Sequence, residues 1–112
     1  MIALKVIDAN DQQLEADLEG RTYFIRLSWN ESGEFWTLSL RDAADTGLIY
    51  GVPLVPAHPL LLQYRRPEFP PGEIAVSAIE PRLTRQSFKD GAAALLYLTR
   101  AEMLAGGWKS YA

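Results

Sequence analysis

The sequence contains no cysteine and a single histidine, His58. Without thiols there are no disulfides, thiolate nucleophiles, iron–sulfur clusters or cysteine-based zinc sites. One imidazole leaves no room for a multi-histidine metal centre. Long apolar runs are missing as well. The N-terminal Met1-Ile2-Ala3-Leu4-Lys5-Val6 has no basic segment leading a hydrophobic stretch, so it does not read as a signal peptide. A bilayer span needs about 20 apolar residues, so the chain is expected to be soluble and to have no membrane partner. A basic excess is absent too. Residues 1–63 carry nine acids and four bases, and residues 64–112 carry five acids and seven bases, for a net charge of −3. Neither half has the basic stripe that nucleic-acid binding requires, so no nucleic-acid partner is expected. The opposed signs of the halves suit the orientation of subunits against each other.

What the chain does have is apolar material, 48% of 112 residues, enough for one domain with a modest core. Its pattern is mostly period two. Strands are expected over residues 2–7, 13–18, 22–29, 35–42, 48–55 and 73–79. Asn10-Asp11 reads as a turn and Gly20 as a strand end. The clearest signal is a hairpin, because Tyr23, Ile25, Leu27 and Trp29 share one face of a strand while Trp36, Leu38 and Leu40 share one face of the next. A turn at Glu31–Glu34 puts Trp29 opposite Trp36, Leu27 opposite Leu38 and Ile25 opposite Leu40. A one-residue slip would turn all of them into water. Pro53 and Pro56 make the 48–55 strand an edge or end it early. Residues 59–64 suit one helical turn, and residues 65–72, with Pro67, Pro70, Pro71 and Gly72, a stiff extended loop. Residues 81–91 are polar and turn-rich. Residues 92–99 fit either a buried strand or a helix, since the three alanines favour the latter. A brief helical turn is expected near 100–104. The fold class is therefore all-β, mainly antiparallel: a small β-barrel or sandwich over residues 1–100 with one or two short helical turns and a C-terminal tail at 101–112.

The candidate chemistry is thin. Asp45-Thr46-Gly47 matches the signature triplet of aspartic proteases, and a retroviral-type homodimer would supply one aspartate per subunit. The triplet should then end an apolar strand, whereas Asp42-Ala43-Ala44 precedes it, and Asp-x-x-Asp-Thr-Gly is also a hairpin-turn sequence. Asp8, Asp11, Asp17, Asp42 and Asp45 lack the alternating ligand spacing and closing glutamate of a calcium loop. His58 lies between Pro56 and Pro59, and neither Ser77 nor Ser87 sits in a nucleophile-elbow motif. No phosphate-binding glycine loop is present. No catalytic, metal or cofactor site is expected. Arg65 and Arg66, beside Tyr64 and Phe69, suit an interface anchor better than a single-strand nucleic-acid platform in so acidic a chain. Trp108 and Tyr111, beyond Gly106-Gly107, either fold back on the domain or dock on a neighbour.

The run Tyr23–Asn30, then Phe35–Asp42, then Gly47–Val55 resembles the small baseplate plug-like proteins of contractile-tailed phages. In that pattern a strand ending in Trp-Asn meets a Trp-containing strand ending in aspartate. A Gly/Asp turn then leads to a glycine-valine-x-leucine-valine strand and a leucine- and arginine-containing segment, here Leu60–Arg66. Pro70–Val76 and Leu95–Tyr97 fit the same pattern. The likeness covers residues 21–98, and the Ser77–Gly91 stretch and the tail after Arg100 depart from it. The resemblance implies a non-enzymatic virion component of the tail baseplate, made in the host cytoplasm and present as a symmetric homo-oligomer. Its partners would be the hub, tail tube and tape-measure proteins; the contact residues, chosen from their types and positions rather than from the resemblance, are Arg65, Arg66, Phe69, Trp108 and Tyr111. The alternatives are the Asp45-Thr46-Gly47 protease and a free-standing protein-binding module.

Overall fold

Alternating large apolar and polar side chains over Arg21–Asn30 (β3) and Phe35–Asp42 (β4) build the central hairpin of the computed structural model, which describes residues 1–64 and 67–107. The strands pair antiparallel with Trp29 opposite Trp36, Leu27 opposite Leu38 and Ile25 opposite Leu40, the register that the pattern demands. The two indoles meet edge to face at 5.5 Å. Across the turn, the Asn30 side chain accepts the Gly33 N–H at 2.9 Å.

On one side β3 pairs with β2 (Asp11–Leu18) and on the other β4 pairs with β5 (Gly47–Pro53), giving the sheet order β2-β3-β4-β5. Glu19 and Gly20 join β2 to β3 with φ of 53° and 89°. A two-residue turn with both φ positive matches the right-handed twist of the flanking strands, and the Asp17 carboxylate accepts the Gly20 N–H at 3.1 Å. A second sheet has the order β1-β7-β6, from Ile2–Leu4 (β1), Ala93–Leu98 (β7) and Glu73–Ala78 (β6). Both sheets contribute to one buried cluster that includes Leu18, Tyr23, Ile25, Leu38, Ile74, Leu95 and Tyr97.

The sheets are stitched along one side. After β5 the chain runs beside β6, with the Ala57 N–H donating to Val76 O at 2.8 Å and the Leu60 N–H to Ile74 O at 3.1 Å. On the opposite side no backbone hydrogen bond joins β1 to β2 among the described residues. Of the two all-β forms expected, the fold is the sandwich rather than the closed barrel.

Several expected boundaries move. β1 stops at Leu4 rather than residue 7, because the Gln12 side chain takes over the backbone of Ile7, accepting its N–H at 2.9 Å and donating to its carbonyl at 2.8 Å. Asn10-Asp11 is not a turn. The Asn10 carbonyl accepts the Trp29 N–H at 2.7 Å, and Asp11 opens β2. Residues 93–98 form a strand, since β1 and β6 flank them on both sides. The helical turn in the 59–64 segment is a 3-10 turn at Leu62–Tyr64.

The polar stretch 81–91 carries apolar anchors. Leu83 is buried and Phe88 packs against the core, its ring 5.6 Å from that of Trp36. The Trp36 indole N–H donates to Thr84 O at 3.0 Å, and the Arg85 guanidinium lies 5.5 Å over the same ring. Past β7, Thr99 and Glu102 form a reciprocal capping box that starts α1 (Arg100–Ala105) and seats Met103 in the interior. The Glu102 carboxylate also binds the Met1 ammonium. That contact, followed by the Thr99 N–H, holds its pKa below the usual carboxylate range.

Candidate interaction surfaces

The Asp-Thr-Gly triplet closes the β4–β5 turn. Asp42 organises it by accepting the N–H groups of Ala44 at 3.0 Å and Thr46 at 2.9 Å on one carboxylate oxygen. Asp45 sits at φ 65°, its carboxylate 70% exposed and paired with Arg41 at 2.9 Å. An aspartic dyad needs two carboxylates sharing a proton in a confined site, and Asp45 is instead a solvated turn residue. Asparagine also tolerates the left-handed region, and an exposed ion pair contributes little. Asp45→Asn is therefore expected to change unfolding free energy by less than about 0.5 kcal/mol in a urea titration.

The proline-rich 67–72 segment lies against the start of β3. The Arg21 guanidinium donates to Phe69 O at 3.1 Å and the Tyr23 hydroxyl to Glu68 O at 3.0 Å. Phe69 itself is 1% exposed and belongs to the core, so the segment shows solvent its Pro67 and Glu68. Between this strap, the start of β3 and the 42–44 turn lies an open cleft of about 480 Å³. Arg65, Arg66, Trp108 and Tyr111 lie outside the described residues. His58 closes an exposed turn, its N–H donating to Val55 O at 3.3 Å. No hydrogen bond joins it to Ser77 or Ser87, and no group of three acids or histidines suited to a metal is found, among the described residues.

The outer face of the four-stranded sheet carries polar contacts that composition alone did not reveal. Arg26 binds Asp11 through two nitrogens, at 2.8 and 2.6 Å, and Ser28 donates to the same carboxylate at 3.0 Å. Arg41 reaches the Gln13 side chain. The bonds from Arg26 first, then Ser28, hold the Asp11 pKa at about 2 against an ordinary 3.8, while Asp11 raises that of Arg26. A carboxyl depressed by folding adds stability above its unfolded pKa and loses it as pH falls through the folded value. The contribution of Asp11 is thus expected to vanish between pH 3.8 and about 2. It is small because both groups are more than half exposed. An NMR titration of the Asp11 carboxyl should place the midpoint near the lower value, and Ser28→Ala should move it upward.

These features define a small β-sandwich with polar side chains at turns, at the helix cap and in surface ion pairs. The family model described as cyanophage baseplate Pam3 plug gp18 matches residues 1–100, and the chain belongs to that family. Its role is accordingly structural, in a phage tail baseplate. No curated protein matches the chain.

Proposed function

We propose that the chain is a non-enzymatic plug of the phage tail baseplate, seated in the virion at the distal end of the tail tube and packed against hub, tube and tape-measure proteins. The family match over residues 1–100 is the observation that carries this reading. A ring of identical copies would set one patch of each subunit against a different patch of the next. Arg65, Arg66 and the aromatic pair Trp108 and Tyr111 are residue types enriched at interface hot spots, and we assign them to contacts with neighbouring chains. Phe69 holds the 67–72 strap from inside, so its contribution to a contact is to position that strap.

The test is mass spectrometry of purified virions together with a cryo-EM map of the tail tip. The chain should be present in a fixed ratio to the tail-tube protein, with density at the distal end of the tube. Virions that assemble and infect without it would defeat the reading.

A further inference from the structure

The β2 strand presents an open edge whose hydrogen-bonding parity is fixed. Leu18 and Arg21 flank the two-residue turn, so they exchange both backbone bonds, and bonded pairs recur at every second residue. The Asn10 carbonyl accepting the Trp29 N–H belongs to the same series. Gln12, Leu14, Ala16 and Leu18 therefore spend their backbone groups on β3, whereas Asp11, Gln13, Glu15 and Asp17 point theirs away from the sheet. Among the described residues nothing bonds to those outward amides and carbonyls. A long unpaired edge is a template for another strand. The remaining edges are poorer ones. β6 is covered by residues 57–60, β1 has three residues, and β5 shifts register twice and ends in Pro53.

The side chains on this edge select the occupant. Those of Asp11, Gln13, Glu15 and Asp17 are exposed on the outer face. Asp11 is engaged by Arg26, but Glu15 has no cationic partner among the described residues. A second copy is a poor fit. Antiparallel self-pairing about Leu14 sets Asp11 against Asp17, pairing about Glu15 sets Glu15 against itself, and pairing about Gln13 sets Asp11 against Glu15. Like charges directly opposite destabilise a pair. On the inner face Leu14 and Ala16 are only half-buried against the core, and an added strand would cover them with its alternate side chains.

We propose that the β2 edge is a strand-addition site for an extended segment of a neighbouring tail protein, with Lys or Arg on its outer face and apolar residues on its inner face. This rests on the baseplate role above. The probe is an acetylated, amidated heptapeptide of alternating lysine and valine, with an alternating glutamate and valine peptide as control. Added to the full chain, the lysine peptide should slow amide exchange at Gln13, Glu15 and Asp17, and the glutamate peptide should not. Glu15→Pro removes one outward N–H and leaves the β3 ladder intact. It should keep the cooperative melt and weaken lysine-peptide binding about tenfold or more. Glu15→Lys keeps every edge amide and should erase the preference between the two peptides, which guards against a Glu15→Pro chain that fails to fold. Protection at other amides, or a preference unchanged by Glu15→Lys, would overturn the proposal. In phage, loss of the Glu15→Pro chain from virions that retain the wild-type chain supports the site, and equal incorporation of both defeats it. Absence of the wild-type chain from virions defeats instead the baseplate reading.

Discussion

Trp36→Ala should cost about 3–5 kcal/mol of unfolding free energy, read as a lowered midpoint in urea denaturation at an unchanged slope. Trp36 is 1% exposed and sits where three parts of the molecule meet. Trp29 approaches it across the hairpin, Phe88 approaches it from the 81–91 segment, and Arg85 lies over its ring. Alanine would open a cavity bordered by a paired strand and a loop anchored elsewhere, so the walls have little freedom to collapse. It would also leave the Thr84 carbonyl without its indole donor. The 81–91 segment should respond first, with amide exchange around Thr84 and Phe88 rising more than in β2.

Gly72→Ala is expected to cost about 3 kcal/mol, from overpacking of 1–3 kcal/mol and a strained buried hydrogen bond. A Cβ at this position would stand 2.0 Å from Leu98 O and 2.7 Å from the Tyr97 hydroxyl. Neither neighbour can step aside. Leu98 is held in register opposite Glu73 by the β6–β7 ladder. The Tyr97 hydroxyl accepts the Gly72 N–H at 2.7 Å and donates to the Glu19 carboxylate at 2.5 Å. Gly20→Ala makes the control. Its Cβ meets nothing within 4 Å, and only the φ of 89° opposes it, a penalty of about 1–2 kcal/mol. A thermal melt should rank the two accordingly, with Gly72→Ala the lower.

The central hairpin was legible because its large side chains all demand the same face, and only one register grants that. β2 was harder to read. Asp11-Gln12-Gln13 and Glu15 are poor strand formers by themselves, and what makes them a strand is the partner β3 and the tight Glu19-Gly20 turn. Ala92, Ala93 and Ala94 give the start of the 92–98 stretch helical propensity, and the two strands that flank β7 override it. Phe69 and Phe88 were hidden by context, one among prolines and the other among charges. Which loop phenylalanine reaches the core depends on long-range packing that local pattern does not encode. The Asp-Thr-Gly triplet illustrates the converse. Its chemistry depends on strand context and burial, and here the same letters spell a turn. The free edge left a faint signal in sequence, the alternation of Asp11, Gln13, Glu15 and Asp17, but whether an acidic alternate row is an edge or an interior strand is decided by topology.

The pairing of Ile2 with Tyr97 has a consequence for the order in which the molecule is made. The β2-β3-β4-β5 meander closes through turns of a few residues, so its contacts are available as soon as residue 53 has emerged from the ribosome. β1 is synthesised before all of them, yet its partner strand arrives about 90 residues later. Of the described strands, β1 thus waits longest for its partner. During synthesis the nascent chain would carry the paired four-stranded sheet beside an unpaired β1, and the second sheet would close only when β7 is released.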